Sequence, residues 1–448
     1  MAKLLLHHHN NLSITILIAK LQIPVPGYTS AVNSIIQSVD STGLDIHFEY
    51  LPPVEPPPLD HDGIEDYISR FMQNNKPHVK SFITGLQSTV KVAALIIDCF
   101  ATAVIDVADE LGVPTYVYYT SGAATLALTL HLPTLHENIR VEFEEFGKNV
   151  TVPGVLPLPP QCMPVPLMNK KIKCYTWLVY HGRRICEAKG IIVNTFAELE
   201  PEALKAIAAG HCVPDHPTPT VYPVGPVLAI REVDKGEEEA HECVKWLDQQ
   251  PAMSVVYLCF GSMGSFKRVQ LIEMASALEK CGHRFLWRLN LSMHEDEIIM
   301  PEELMALSGK KGLVWNSWAP QVEILAHPAV GGFVTHCGWN SCLESLWFGV
   351  PMIAWPLAAE QHFNAFEMVM DMGVALELEV DRKLGGFVAG EKLEKSIRCL
   401  MEDCEEGNRV RARVAEMKLL SRRAVGEGGS SFASLKSLIE DFCSHVSI

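Results

Sequence analysis

Polar side chains that could bind a phosphorylated ligand follow a short apolar run inside the stretch 318–361. The run 330–335 has the length and composition of a buried strand. It stops at the sequence HCGWNS, which begins with His336 and indicates the start of a helix. Free backbone N–H groups and the positive end of a helix dipole favour an anion there, and Gly338 lets the backbone approach it closely. The spacing therefore predicts a phosphate-binding site at this point.

Three polar side chains on the predicted helix would share one face. Asn340 and Ser341 precede Glu344 by four and three residues, which is the spacing of neighbours on a helix surface. Asn340 and Ser341 could donate hydrogen bonds to phosphate oxygens, whereas the two carboxylate oxygens of Glu344 suit the paired hydroxyls of a ribose. This face predicts contacts with a nucleotide.

Residues on either side of this helix extend the same interpretation. Trp318 follows a short apolar strand and offers a flat surface on which a base could stack, although an isolated tryptophan is more often a core residue. A second predicted strand, 351–355, is followed by Glu360 and Gln361, whose donors and acceptors suit sugar hydroxyls. The order along the chain is base, phosphate, ribose and sugar, which is typical of a nucleotide-sugar site.

Strands and helices alternate on both sides of this stretch, which predicts parallel sheets flanked by helices. In the N-terminal half the predicted strands are 14–19, 44–51, 92–98, 115–120, 190–196 and 220–225, and the predicted helices are 64–87 and 101–112. Residues 133–185 are rich in proline and are expected to be irregular and to wrap an acceptor pocket. In the C-terminal half the predicted strands are 254–260 and 284–289, and the predicted helices are 268–281, 391–402, 408–424 and 431–445.

Two polar residues of the N-terminal half stand at the ends of predicted strands. Asp98 and Thr120 are candidates for chemistry, because ligands of open parallel sheets bind outside the carboxyl ends of the strands. Asp98 has a simpler alternative role, which is to cap the helix predicted to begin near residue 101. The charged segment 227–242 lacks apolar periodicity, so we predict a linker at 227–250 between an N-terminal domain, 1–226, and a C-terminal domain, 251–430.

The composition is that of a globular protein and excludes several classes of partner. Hydrophobic residues make up 48% and charged residues 20% of the 448 positions. The formal net charge of -16 argues against nucleic acid or an anionic membrane as a partner. The 13 cysteines include no CxxC pair or metal-ligand spacing, so we expect reduced thiols, no metal site and a cytoplasmic location. No apolar run reaches the roughly 18 residues of a membrane span.

The stretch 318–361 resembles the plant secondary-product glycosyltransferase box of the family 1 UDP-glycosyltransferases. The shared motifs are WAPQ, HCGWNS, LES, GVP, WP and the closing EQ. The similarity continues in FGSMGSF at 260–266, KGIIVNTFAELEP at 189–201 and GEGGSS at 426–431, and it is greatest to the branch that glucosylates flavonoids and other phenolics. The resemblance implies an α/β protein of the GT-B fold, with two doubly wound Rossmann-like domains facing a cleft and a last helix, within 431–448, that returns to the first domain.

The resemblance also implies a role for individual residues. Trp318 would stack on uracil, whose edge would meet the backbone of Ala319, and Gln321 and Glu344 would hold the ribose. The implied phosphate ligands are Ser262, His336, Asn340 and Ser341. The implied sugar contacts are Trp339, Glu360, Gln361 and Thr120. A glutamine at the last position of the box is similar to that of enzymes that use glucose, whereas a histidine there suggests galactose. No metal ion or redox cofactor is implied.

The general base of the family pattern has no counterpart here. A phenol has a pKa of about 10, so its deprotonation near neutral pH needs a base, which typically contributes a factor of about 10²–10⁴. In the family the base is a histidine in a PGxGH-like loop after the first strand, and an aspartate that Asp98 matches orients it. The sequence begins within the helix that follows that loop, and His7, His8 and His9 do not match the base. We therefore expect the first strand and the base to be missing.

Three hypotheses follow from these observations. The first is a glucosyltransferase that acts as a monomer on small phenolic acceptors, and the second is a catalytically silent binder of nucleotide sugars. The third, an NAD-dependent dehydrogenase, would require a GxGxxG motif after a strand with an acidic residue about twenty positions later, and the sequence contains none. An activity assay with UDP-glucose and a flavonol separates the first two.

Overall fold

Two α/β domains make up the chain in its computed structural model. The described residues are 1–9, 11–20, 32–33, 36–39, 42–58, 62–230, 240–262, 264–290, 309, 311–382 and 385–445. Within these ranges every strand pairs with its neighbours in parallel. No helix of the described ranges is long and apolar enough to cross a bilayer.

The described part of the N-terminal domain contains six strands in two parallel sheets. A two-stranded sheet pairs β1 (Ile14–Ile18) with β2 (Ile46–Tyr50). A four-stranded sheet has the order β3 (Leu95–Asp98), β4 (Thr115–Tyr119), β5 (Gly190–Val193) and β6 (Thr220–Pro223). The helices are α1 (Ala2–His8), α2 (Ile64–Gln87), α3 (Ile105–Glu110), α4 (Ala123–Asn138), α5 (Lys173–Ile185) and α6 (Pro201–Ala208). All six strands lie within the predicted segments.

The C-terminal domain has one six-stranded parallel sheet with its core strands fully buried. The strands are β7 (Val255–Cys259), β8 (Arg284–Arg288), β9 (Gly312–Trp315), β10 (Val330–Thr335), β11 (Met352–Ala354) and β12 (Ala375–Glu377). Their order in the sheet is β12, β11, β10, β7, β8, β9. The helices are α7 (Glu242–Leu247), α8 (Arg268–Cys281), α9 (Gln321–Ala326), α10 (Trp339–Phe348), α11 (Gln361–Phe366), α12 (Gly390–Met401), α13 (Glu405–Val425) and α14 (Ser430–Ser444).

The proline-rich segment differs from its prediction, because two helices occupy parts of 133–185. Helix α4 continues through Pro133 to Asn138, and α5 begins at Lys173. Pro133 has no N–H to donate to the carbonyl of Thr129 four residues earlier, which normally interrupts a helix. Gly182 of α5 packs so closely here that a Cβ would overlap the carbonyl oxygen of Thr129. Packing between the two helices therefore overrides the local signal of the proline.

The predicted linker is shorter than expected at its C-terminal end. Residues 231–239 of the predicted linker lie outside the described residues. Residues 242–247 were predicted to belong to the linker, but they form α7. Cys243 and Leu247 of this helix are buried in the core of the C-terminal domain. Glu242, Lys245 and Asp248 lie among and beside these apolar positions and obscured the short apolar face of α7 in the sequence.

The last helix, α14, packs on the N-terminal domain. Four apolar residues of α14 join Tyr116 and Tyr222 in one buried cluster, namely Leu435, Leu438, Ile439 and Phe442. Tyr116 and Tyr222 donate their hydroxyl protons to the same Asp441 oxygen, at 2.6 and 3.0 Å. Burial and the neighbouring carboxylate raise the pKa of Tyr222 to about 12, so this hydroxyl stays a donor.

Asp441→Ala should destabilise the protein by about 2–3 kcal/mol, because two tyrosine hydroxyls would lose their acceptor. Urea denaturation of purified protein measures the change in the free energy of unfolding. The matched control is Glu440→Ala on the exposed face of the same helix, which should change the free energy of unfolding by less than about 0.5 kcal/mol. Equal effects of the two substitutions would contradict this account of the docking.

Candidate functional site

The candidate site lies at the point in the C-terminal sheet where the strand order reverses. Strands β7, β8 and β9 extend the sheet to one side, and the chain then returns to place β10 on the other side of β7. The carboxyl ends of β7 and β10 lie side by side, since Cys259 is paired with Thr335. In open parallel sheets this reversal opens a crevice between the loops that follow the two strands, and ligands bind there.

Two glycines allow the loops after β7 and β10 to close around the His336 ring. A Cβ on Gly261 would lie 2.7 Å from Nε2 of His336, and a Cβ on Gly338 would lie 2.5 Å from the same atom. Gly261 also has a φ of +72°, which an L side chain rarely adopts. Burial lowers the pKa of His336 to about 4, so the ring is neutral at neutral pH. His336 therefore forms an uncharged wall between the two loops.

The loop that carries Ser262 is held by two residues that the sequence analysis did not identify. Asn290 donates to the carbonyl oxygens of Gly261, Ser262 and Gly264 at 2.9, 3.0 and 3.0 Å. Arg288 Nη1 donates to Gly261 O at 2.8 Å. Ser262 itself is exposed. The position of Asn290 just after β8 could have identified it, because polar residues after parallel strands gather at one edge of the sheet.

The N-terminus of α10 points its free N–H groups at the same crevice. Gly338 is the N-cap residue, and no side chain accepts a hydrogen bond from the first turn. The preceding residue, Cys337, is buried with a φ of +64°, a conformation that costs about 1–3 kcal/mol in a residue other than glycine. Asn340 is exposed at the start of the helix. The geometry provides backbone donors and a helix dipole for an anion.

Three of the predicted side chains form one hydrogen-bonded group beside α10. Gln321 donates from Nε2 to Ser341 Oγ at 2.9 Å and to Glu344 Oε2 at 2.7 Å. Burial raises the pKa of Glu344, and the bond from Gln321 acts in the opposite direction. The structure therefore brings together the residues assigned to ribose and one of those assigned to phosphate.

Trp318 precedes Gln321 of this group by three residues in the chain. Its side chain is 64% exposed, which is unusual for a tryptophan. The backbone of Trp318 is fixed by the indole N–H of Trp315, which donates to Trp318 O at 2.9 Å. Ala319, the next residue, is buried. An exposed indole face on a fixed backbone is suited to stacking on a planar ring.

Glu360 and Gln361 follow β11 on the other side of the crevice. Gln361 Oε1 accepts from the backbone N–H groups of Leu357 and Ala358 at 3.0 and 2.9 Å. These bonds orient the amide and leave its NH₂ group as the donor for a ligand. Burial raises the pKa of Glu360.

The N-terminal domain contributes Asp98 and Thr120 at the ends of β3 and β4. Both are exposed, and Asp98 Oδ1 accepts from the N–H of Phe100 at 2.9 Å. The 3₁₀ turn that follows, Thr102–Val104, has Ala101 as its N-cap residue and no side-chain capping bond, so Asp98 makes a local turn bond and does not have the expected capping role. Burial is the main cause that raises the pKa of Cys99, and the charges of Asp98 and Glu360 raise it further. Charges from both domains therefore act on the Cys99 thiol, which is the residue next to Asp98 in the chain. Desolvation by the surrounding protein raises the pKa of Asp98, and the hydrogen bond from Phe100 acts in the opposite direction.

No histidine of the described residues is hydrogen-bonded to Asp98. His7 Nδ1 instead lies 2.6 Å from Lys3 O within α1, and the ring of His8 packs edge to face on Phe432 of α14 at 5.0 Å. His7 and His8 are thus engaged in contacts with α1 and α14.

Trp339 differs from its predicted role. We expected its side chain to face a sugar, but it is only 5% exposed and lies between the domains. Its indole N–H donates to Asn194 O at 2.7 Å, and its ring lies against Gly122. As the first residue of α10, Trp339 projects toward the facing sheet, where burial of a large aromatic ring is favourable. Asn194 Nδ2 also donates to Asn340 Oδ1 at 3.3 Å, so Asn194 is a site residue that the prediction missed.

The chain is similar to plant proteins over nearly its whole length. Residues 196–403 match the sequence profile of the family described as UDP-glucoronosyl and UDP-glucosyl transferase. Malvidin galactosylase of Oryza sativa subsp. japonica is 46% identical over 446 residues, which cover 96% of this chain and 91% of the relative. Anthocyanidin 3-O-glucosyltransferase 1 of Manihot esculenta is 42% identical over 465 residues, which cover 98% and 97%.

Solved structures of similar proteins share the fold. UGT2 of Phytolacca americana, complexed with UDP-2-fluoro-glucose and pterostilbene, has a TM-score of 0.85 and 33% identity, with 98% of this chain and 95% of that chain covered. UGT71G1 of Medicago truncatula, complexed with UDP-glucose, has a TM-score of 0.83 and 39% identity, with 98% and 94% covered. The predicted GT-B fold with two Rossmann-like domains is confirmed.

If Glu344 holds the ribose of a nucleotide sugar, it should make the binding of that ligand sensitive to acid. Because its pKa is raised, Glu344 gains a proton at a higher pH than an exposed glutamate does. The protonated form has fewer acceptor sites for ribose hydroxyls, so affinity should be full at neutral pH and fall as the pH drops through this pKa. Glu344→Gln should bind about 5–30-fold more weakly at neutral pH, which corresponds to about 1–2 kcal/mol.

Calorimetric titration with UDP-glucose at several pH values measures this effect. The difference between the wild-type and Glu344→Gln profiles isolates Glu344, since Glu360 and the ligand titrate in both. Glu323→Gln, on the exposed face of α9, is the control and should match the wild type. Parallel acid limbs in the wild type and Glu344→Gln would refute the role of Glu344.

Proposed function

This chain belongs to the UDP-glucoronosyl and UDP-glucosyl transferase family, and we propose that it transfers glucose from UDP-glucose to a hydroxyl of a small phenolic acceptor such as a flavonoid. The observation that carries the proposal is the hydrogen-bonded group of Gln321, Ser341 and Glu344 beside the exposed face of Trp318. The anthocyanidin and malvidin in the names of similar proteins support a phenolic acceptor.

The donor would lie along the carboxyl edge of the C-terminal sheet. Uracil would stack on Trp318 beside the backbone of Ala319, and the ribose hydroxyls would bind Glu344 and Gln321. The diphosphate would lie at the N-terminus of α10, with Asn340 and Ser262 as further donors. A protein with a net charge of -16 attracts a dianion poorly at long range, so these local donors must supply the binding energy. In this proposal the reaction needs no metal ion or redox cofactor.

The transfer itself is a displacement at the anomeric carbon. The acceptor oxygen forms a bond to C1 of the glucose while the bond from C1 to the phosphate oxygen breaks, and UDP departs with the electron pair. Attack from the face opposite UDP inverts the configuration at C1. The proton of the acceptor hydroxyl must pass to a base, and Asp98, exposed at the carboxyl end of β3, is the carboxylate of the N-terminal domain that we propose for this role.

The choice of sugar depends on Gln361, the last residue of the stretch 318–361. The amide NH₂ of Gln361 is the free donor, because its oxygen is occupied by two backbone N–H groups. Glucose and galactose differ only in the orientation of the 4-hydroxyl, so one fixed donor can discriminate between them. The glutamine at this position resembles that of family members that use glucose, which supports glucose as the sugar. One similar protein, however, is named a galactosylase. We propose glucose as the preferred sugar.

A silent binder of nucleotide sugars is the second candidate. The observation that favours it is that Asp98, in the described structure, is bonded to the N–H of Phe100 and to no histidine. In either case we propose that the chain acts as a monomer in the cytoplasm, in keeping with its 13 cysteines, all of which are free thiols.

Product formation decides between the two candidates. The full chain should convert a flavonol and UDP-glucose into glucoside and UDP, and the rate with UDP-glucose should exceed the rate with UDP-galactose at equal concentrations. Asp98→Asn should lower kcat about 10²-fold or more with little change in UDP-glucose affinity. The control is Asp109→Asn on the exposed face of α3, which should retain activity. Saturable UDP-glucose binding without product from any phenolic acceptor would overturn the transferase proposal and support the silent binder.

A further inference from the structure

Trp318 makes one side-chain ring contact that the site as described does not explain. The ring of His241 lies 5.9 Å from the ring of Trp318, with the two planes at 81°. The same imidazole lies 5.2 Å from the ring of Trp315 at 74°. Both arrangements are edge to face, which is the favourable geometry for aromatic rings at this separation. His241 thus contacts both Trp318, on which the nucleobase is proposed to stack, and Trp315, which is hydrogen-bonded to the backbone of Trp318.

His241 is itself held in place by the helix that it begins. It is the N-cap residue of α7, and its Nδ1 accepts from the N–H of Cys243 at 3.2 Å. Cys243 and Leu247 anchor α7 in the core of the C-terminal domain, and His327 at the end of α9 bonds to Asp248 at 3.1 Å. The imidazole is therefore fixed from its Nδ1 side, and its far edge is free to contact the tryptophans.

Trp318 needs such support more than other residues of the site do. Its side chain is 64% exposed, so few contacts restrict its rotamer, and a freely rotating indole loses conformational freedom when a base stacks on it. The hydrogen bond from Trp315 fixes only the backbone oxygen of Trp318. A ring fixed on the core side would hold the indole in one orientation before the ligand arrives.

We propose that His241 is a positioning residue for nucleotide binding, which holds the indole of Trp318 in the orientation that stacks on the base of a uridine nucleotide. This inference rests on the proposed function, since it requires the nucleotide to stack on Trp318. Its effect is on the binding of the donor and on KM, and kcat is unaffected at saturating donor.

Two substitutions separate the ring contact from the capping bond. His241→Phe keeps an aromatic ring but removes the acceptor for the Cys243 N–H. His241→Asn keeps a side-chain acceptor, which asparagine provides well at an N-cap, but removes the ring. If the ring positions Trp318, His241→Asn should weaken UDP binding about 3–10-fold while His241→Phe stays within about 2-fold of the wild type.

The experiment is calorimetric titration of UDP into the full chain, with thermal unfolding of each variant as a check on folding. His283→Asn is the matched control. His283 is another half-buried histidine of the same domain; it directly precedes β8, and its side chain is hydrogen-bonded to Glu402. It should bind UDP as the wild type does. In a Trp318→Ala background, His241→Asn should cause no further loss, since the residue through which it acts is absent.

The outcomes distinguish failure of this inference from failure of the proposed function. If the wild type does not bind UDP, the proposed function fails. If the wild type binds UDP and Trp318→Ala weakens binding but His241→Asn does not, the positioning role is refuted and the proposed function stands. Weakening by His241→Phe that His241→Asn does not share would assign His241 to capping alone and also refute the positioning role. If turnover is measured, a decrease in kcat with unchanged KM for the UDP-sugar would contradict the inference as well.

Discussion

The close approach of two loops around one half-buried imidazole is the constraint on which the site depends. Nε2 of His336 would be 2.7 Å or less from a Cβ on either Gly261 or Gly338, so the loops after β7 and β10 meet only because both positions are glycine. This contact sets the distance between the Ser262 loop and the N-terminus of α10. The burial that lowers the pKa of His336 to about 4 also keeps a positive charge out of the interface. In the proposed donor site, the diphosphate would then bind to backbone dipoles and to neutral side-chain donors.

The two domains are aligned by a small number of specific contacts at the edges of their sheets. Trp339 donates to Asn194 O, and Thr125 Oγ1 donates to Asn364 Oδ1 at 3.2 Å. Val165 N donates to Ala359 O at 2.8 Å, next to Glu360. These bonds hold the two domains together beside the residues that follow β5, β10 and β11. The side chain of Trp339 therefore joins the two domains.

The sequence was sufficient for the sheet strands other than β12 (Ala375–Glu377), which was not predicted, and for the group of Gln321, Ser341 and Glu344. Each core strand is a short apolar run that ends in polar residues, and helical spacing places Ser341 and Glu344 on one face. Contacts between distant segments were not predictable in this way. The helix through Pro133 depends on Gly182, and the burial of Trp339 depends on Asn194, which is 145 residues away in the chain. The roles of Asn290 and His241 depend on loop and ring geometry that no periodicity encodes.

Hydrogen exchange of the full chain with and without saturating UDP tests the central claim most directly. If the diphosphate binds at the reversal of the sheet, backbone amides in peptides spanning 336–344 and 318–323 should exchange more slowly with UDP. Peptides that line the cavity of about 380 Å³ at the opposite ends of β7 and β10, beside Met253, Leu400 and Arg411, should not change. Protection of that opposite cavity alone, or no protection at 336–344 despite saturation, would contradict the account.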